Sequence, residues 1–227
     1  MSTEEKNNSE NKKEIKIVIC GDMRVGKTSI LSRYIYNSFD ENPMSTVSKS
    51  YQKIIMKNNI KLICNFWDTA GQEKFRSLNK LFYKNSNVAL IVYDITKKDT
   101  FYNVKSFWVS EIKSYAPNDV LICIIGNKFD LYKNEEVTEE DARNYAEKNN
   151  YYFTLTSAFE NTGIDELFED LTDKLLGIEG NEINEKKRSF KIKKKMEKPE
   201  KIKEKKECCW LLLMFLLIFL FFVFYIF

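Results

Sequence analysis

Gly21-Asp22-Met23-Arg24-Val25-Gly26-Lys27-Thr28 sets two glycines, a lysine and a hydroxyl at the spacing G-x-x-x-x-G-K-[ST], a pattern whose chemistry is phosphate binding. The glycines let the backbone curl until its N–H groups point inward, and a helix opening through Ser29 adds the positive end of its dipole. Lys27 is then in reach of β- and γ-phosphates, and the Thr28 hydroxyl suits Mg²⁺. A second group, Asp68-Thr69-Ala70-Gly71-Gln72-Glu73, supplies a carboxylate for the same cation, an N–H of Gly71 to sense a terminal phosphate, and the Gln72 amide to orient an attacking water. Gln72, Lys27 and Gly71 are therefore the candidate catalytic groups.

A third group, Asn127-Lys128-Phe129-Asp130, fits a purine base. Guanine presents N1–H and its 2-amino group as adjacent donors, and one carboxylate accepts both. Adenine offers an acceptor at N1, which Asp130 would meet with a lone pair, a mismatch worth ~10⁴-fold in selectivity. Asn127 can bridge base and phosphate loop, while the Lys128 stem lies over the ring. In Thr156-Ser157-Ala158 a backbone N–H can reach the guanine oxygen. The sequence has no histidine, which excludes a Ser-His-Asp triad, a Cys-His pair and a His-ligated zinc.

These groups need elements to hold them. Ile15 to Cys20 reads as a strand ending at Gly21, followed by a helix carrying Ile30, Leu31, Tyr34 and Ile35, and by a polar loop over 38–50. Tyr51 to Met56 and Ile60 to Trp67 read as strands joined at Lys57-Asn58-Asn59, the second alternating Ile60, Leu62, Cys64 and Phe66. Apolar runs at Val88 to Tyr93, Val120 to Ile125 and Tyr152 to Leu155 alternate with helical patterns around 99–115, 138–149 and 164–176. Buried strands alternating with helices predict a mostly parallel sheet covered on both faces, with ligands at the carboxyl ends of its strands. Each chemical group does follow a strand. Cys20, Cys64 and Cys123 sit in apolar runs and read as buried, reduced thiols.

The order of these groups resembles the Ras superfamily of small GTPases, and the Rab branch most closely, over residues 14–177. Rab-like markers are Trp67 to Gln72 and Glu73 followed by Lys74-Phe75-Arg76-Ser77, then Phe82-Tyr83-Lys84-Asn85-Ser86 and Val92-Tyr93-Asp94-Ile95-Thr96. The resemblance implies an α/β fold of the P-loop NTPase class, a small GTPase G domain with a six-stranded sheet. It implies a GTPase that hydrolyses GTP to GDP with Mg²⁺ and regulates vesicle transport through effectors, an exchange factor and an activating protein. Thr46 would close on Mg²⁺ and the γ-phosphate, Phe39 would pack on guanine, and Tyr51, Trp67 and Phe82 would form an aromatic effector surface or simply be core. Met23, Phe159 and Ser48-Lys49-Ser50 depart from the pattern: Met23 is bulky beside the γ-phosphate, and Phe159 stands where lysine is usual. The alternative Met23 leaves open is a hydrolysis-poor, GTP-bound membrane scaffold.

The ends of the chain differ in character from its middle. Residues 1–13, polar and without an apolar stretch, read as a disordered leader, and 178–207 as a basic linker. Between 186 and 206 lie 12 Lys or Arg against Glu197, Glu200 and Glu204, so the remainder carries 24 basic and 30 acidic residues. The basic arm suits an anionic lipid surface rather than nucleic acid, or serves as a solvated spacer. Residues 208–227 read as a membrane anchor. Trp210 to Phe227 is uncharged and as a helix spans about 27 Å, enough for a thin hydrocarbon core. It is expected to be a tail anchor with residues 1–207 in the cytosol, a hairpin or an interfacial helix being the other reading. Cys208 and Cys209 beside it are open to palmitoylation or remain free.

Overall fold

The computed structural model describes residues 11–41, 48–69 and 76–178. All of them belong to one compact unit. The expected leader up to Glu10, Thr46, Gly71, Gln72, Cys208, Cys209, the linker beyond residue 178 and the expected spanning segment Trp210 to Phe227 lie outside them. Among the described residues no helix is long and apolar enough to cross a membrane.

Six strands form one sheet: β1 (Asn11–Gly21), β2 (Ser48–Lys57), β3 (Ile60–Thr69), β4 (Val88–Asp94), β5 (Leu121–Asn127) and β6 (Tyr152–Leu155). Their order is β2-β3-β1-β4-β5-β6. Only β2 and β3 run antiparallel. The helices are α1 (Lys27–Tyr36), α2 (Arg76–Tyr83), α3 (Lys98–Asn103), α4 (Val109–Tyr115), α5 (Glu139–Lys148) and α6 (Ile164–Leu175).

Side-chain alternation along the central strands splits the core into two layers. Ile15, Ile17 and Ile19 of β1, Val88, Leu90 and Val92 of β4, and Cys123 and Ile125 of β5 join Ile30 and Leu31 of α1 and Leu167, Phe168 and Leu171 of α6. The intervening residues, Val18, Cys20, Ala89, Ile91, Tyr93, Ile122 and Ile124, are also buried. They form the other face, where Tyr93 packs on Phe101 of α3 at 4.9 Å between ring centroids. A strand buried on both faces has no polar side to show, which is why the run Val88–Asp94 is apolar almost throughout and wholly buried. Cys20, Cys64 and Cys123 are free, buried thiols, as expected.

Local chemistry sets the joints. Asn58 and Asn59 both adopt positive φ, 50° and 61°, the two-residue turn that matches the twist of a hairpin. The Thr138 side chain caps α5 by accepting from the Asp141 N–H, with acidic residues filling the first turn.

Two strand starts, two further elements and one divided helix differ from the sequence reading. The strand β1 starts at Asn11, inside the expected leader, because Asn11 to Glu14 pair with Ile60 to Ile63 of β3 through the backbone, which asks nothing of their polar side chains. Likewise β2 starts at Ser48, inside the expected loop, paired with Thr69. The helix α2 and a 3₁₀ turn at Phe129–Asn134 were not among the expected elements. The expected helix over 99–115 is α3 and α4 joined by a π-helical segment, Val104–Trp108.

Candidate functional site

The carboxyl ends of β1, β3, β4, β5 and β6 converge on one site. At the end of β1 the chain turns at Gly21 with φ 136°, where a Cβ would collide with the Val92 carbonyl. It enters α1 through Gly26 at φ 98°, where a Cβ would collide with the Asn127 amide. Both glycines of the motif are thus demanded by close backbone approach.

Lys27 is the first residue of α1 and is 7% exposed. Its ammonium donates to the carbonyls of Gly21 at 2.9 Å and Asp22 at 2.7 Å, so the loop closes around it. Burial pushes its pKa down from the usual lysine range, against the pull of Asp68, Cys20 and Asp22. A group held this way is poised to gain from an anion brought to it.

Opposite stands Asp68 near the end of β3, 1% exposed. The Thr28 hydroxyl donates to its Oδ2 at 2.6 Å. Among the described residues its Oδ1 is buried without a hydrogen-bond partner, and burial raises its pKa, with Thr28, Lys27 and Lys49 acting the other way. A buried, unsatisfied carboxylate oxygen beside a hydroxyl is the donor set a hard divalent cation takes, so Thr28 and Asp68 fit Mg²⁺.

The base side is built around Asn127 at the end of β5. Its Nδ2 donates to the Val25 carbonyl of the phosphate loop at 2.8 Å, and its Oδ1 accepts from Thr156 Oγ1 at 3.1 Å and the Ala158 N–H at 3.3 Å. One amide therefore joins the phosphate loop to the segment after β6. Lys128 sits at φ 67°, and its ammonium pairs with Asp94 Oδ2 at 2.6 Å. Burial opposes the Asp94 carboxylate, but hydrogen bonds from Lys128 and Thr96 and the Lys128 charge outweigh it and hold its pKa below the usual carboxylate range. Ser157 Oγ donates to Asp130 Oδ1 at 2.5 Å. Between these groups lies a cavity of about 550 Å³, with Ser29, Phe39, Asn127, Lys128, Asp130 and Phe159 in its walls.

Three contacts of the site had no local signal in the sequence. Asp22 is held by Trp108 Nε1 at 2.8 Å and Asn103 Nδ2 at 2.7 Å, both reaching from the helix that carries the π segment. Asp94 pins Lys128. Arg33 of α1 donates to the carbonyls of Ala158 and Phe159. Each joins residues far apart in the chain, so only a fold shows it.

The expected aromatic surface is only partly assembled. Trp67 and Phe82 stack at 5.2 Å, but Tyr51 does not join them. It lies opposite Phe66, while Trp67 lies opposite Ser50. Cross-strand partners share a face, so Tyr51 and Trp67 point to opposite sides of the sheet. Tyr51 instead meets Tyr36 edge-on at 6.1 Å. Met23 is 49% exposed on the phosphate loop.

Residues 16–177 match the protein family described as the Ras family. Among similar curated proteins, the Ras-related protein Rab-21 of Dictyostelium discoideum is 42% identical over 169 residues, covering 74% of this chain and 79% of that protein. The Ras-related protein Rab-21 of Homo sapiens is 41% identical over 164 residues, covering 71% and 72%. The Ras-related protein Rab-22A of Homo sapiens is 39% identical over 170 residues, covering 74% and 87%.

Proposed function

The chain belongs to the Ras family, as a small GTPase of the Rab type and a GTP hydrolase, and from that premise we propose that it works as a membrane-held timer for vesicle traffic. The observation that carries this reading is the Asn127 joint, which ties the loop built for phosphates to the loops built for a guanine base. One ligand, a guanine nucleotide, has both parts.

In this reading the residues divide the work by position and charge, without a covalent intermediate. Lys27 exchanges its two loop carbonyls for phosphate oxygens and stabilises charge on them. Thr28 and Asp68 hold Mg²⁺, which when bound neutralises charge on the phosphates. Asp130, oriented by Ser157, accepts the N1–H and 2-amino protons, and Lys128, oriented by Asp94, lies over the ring. Gln72 orients water toward the γ-phosphate. Thr46 and Gly71 tether their loops to that phosphate, and its loss releases them, so effectors, exchange factors and activating proteins meet two shapes of one surface. The stacked Trp67 and Phe82 belong to that surface.

A second reading, a hydrolysis-poor scaffold held in its GTP form, is favoured by one observation: Met23 projects into solvent from the phosphate loop, where bulk obstructs an activating side chain supplied by a partner. Single-turnover hydrolysis by the full chain in detergent separates the two. The switch expects slow, magnesium-dependent turnover that Gln72→Leu lowers by about 10²-fold. Tight GTP binding without turnover, restored by Met23→Ser, would instead establish the scaffold. Turnover indifferent to Gln72→Leu would remove Gln72 from the mechanism.

The membrane part of the proposal rests on the uncharged segment Trp210 to Phe227 behind the basic run. A spanning segment holds the protein on its membrane through both nucleotide states. Alkaline extraction of cell membranes is expected to leave the full chain in the pellet and to release a variant lacking 210–227. A sizeable soluble pool of the full chain would show that this segment does not anchor it.

A further inference from the structure

We infer that Arg33 is a positioning residue of the base pocket, and that Phe159 is a second aromatic wall, held by Arg33 so that a bound purine meets two rings, from Phe39 and Phe159. This rests on the guanine-nucleotide reading of the cavity and adds to it what fixes the residence time of the base.

Phe159 is a large aromatic side chain left 52% exposed, and it stands at the wall of an open cavity. Phe39 lines the same cavity, and the two rings meet edge-on, 5.6 Å between centroids at 77°. They come from distant segments, one just beyond α1 and one just beyond β6. A single side chain touches both. Arg33, in the last turn of α1, donates from Nε to the Ala158 carbonyl at 2.7 Å and from Nη2 to the Phe159 carbonyl at 3.0 Å. Its guanidinium carbon also lies 5.3 Å from the centre of the Phe39 ring. A planar fork of fixed donors makes both carbonyl bonds at once and stacks on a ring, which an ammonium cannot reproduce.

The surrounding geometry holds the rest of the loop. Asn37 ends α1 in the left-handed region at φ 52°, turning the chain toward Phe39, and its Oδ1 accepts from Asn161 Nδ2 at 3.2 Å. Backbone bonds between Ser157 and Thr162 close the segment that carries Phe159. Ser157 in that segment also orients Asp130. The same short loop thus orients the group that reads the base edge and supplies a ring that covers the base. Stacking on a ring face is indifferent to the substituents on the base edge, because every base has a π-face; recognition by Asp130 is not.

That difference supplies the test. The full chain is loaded with fluorescently labelled GDP and Mg²⁺, and release is followed after adding excess unlabelled GDP. Phe159→Leu, which keeps an apolar side chain and loses the π-face, is expected to speed release about tenfold, and Phe159→Tyr to stay within about twofold of wild type. Arg33→Lys is expected to speed release about as much as Phe159→Leu. The double variant Arg33→Lys/Phe159→Leu should fall well short of the product of the two effects, since Arg33 acts in part through Phe159. Labelled inosine diphosphate, which lacks the 2-amino group, is expected to be released faster from Phe159→Leu by the same factor as GDP. Wild-type release rates from Phe159→Leu would overturn the wall. Fast release from Arg33→Lys that multiplies fully with Phe159→Leu would overturn the positioning role. A wild-type chain that does not retain GDP overturns the nucleotide reading and this inference with it; one that retains it beside unchanged variants overturns this inference alone.

Discussion

Asp130→Asn is expected to lower the affinity for GDP and GTP by about 10⁴-fold while creating affinity for xanthosine nucleotides. The carboxylate is half-buried at the cavity wall, and one of its oxygens already accepts from Ser157 Oγ at 2.5 Å, so its orientation is fixed before any ligand arrives. Guanine turns two donors toward it. An asparagine in this place offers one acceptor and one NH₂, and the NH₂ faces a donor of guanine, leaving two buried donors opposed. Xanthine replaces the 2-amino group by an oxygen and so presents a donor beside an acceptor, the complement of an amide. Nothing else at the site changes, because Asn127 and Lys128 take their partners from Val25, Thr156, Ala158 and Asp94. Equilibrium dissociation constants for GDP and xanthosine diphosphate, measured side by side on both proteins, check it. Equal losses for both bases would mean that Asp130 supports the fold rather than reads the base edge.

What the sequence made legible is what is local. The spacing of Gly21, Gly26, Lys27 and Thr28 gives the phosphate loop because backbone curvature and side-chain reach are set within eight residues. The strand Val88–Asp94 announces itself because burial on both faces leaves it apolar almost throughout. What stayed hidden depends on register and crossing. Tyr51 and Trp67 were expected to share a surface only because the family resemblance implies it, yet one residue of register in the β2–β3 hairpin decides which face each occupies, and it sets Ser50 against Trp67. Asp22 gives no sign in sequence that Trp108 will hold it. The π-helical segment Val104–Trp108 lies between α3 and α4, in a helix whose period looked regular, and it carries the indole that meets the loop. The start of β1 at Asn11 escaped notice for a related reason: polar side chains at a strand end cost nothing when the backbone is paired.

The cation site gives an expected result of opposite signs in the free and liganded protein. Asp68→Asn should stabilise the nucleotide-free chain and, in the same protein, abolish the gain that Mg²⁺ gives to nucleotide retention. Among the described residues Asp68 Oδ1 has no partner, and the side chain is 1% exposed, so the buried charge is incompletely satisfied by them, and burial raises its pKa accordingly. An amide is neutral, and its oxygen can still accept from Thr28 Oγ1, so the change exchanges an unpaired buried charge for an unpaired neutral NH₂, which costs less by about 1 kcal/mol or more. For a domain of this size that is a rise of roughly 2–4 °C in Tm per kcal/mol. The same change takes a negative ligand from a site that a divalent cation needs, and the release of GDP with Mg²⁺ present should quicken by about 10²-fold, toward the rate seen with chelator. Thermal unfolding of nucleotide-free protein and GDP release with and without chelator measure the two arms. A variant that is less stable when free would mean that the Asp68 carboxylate is satisfied by the fold, and its fit to a cation would lose its physical basis.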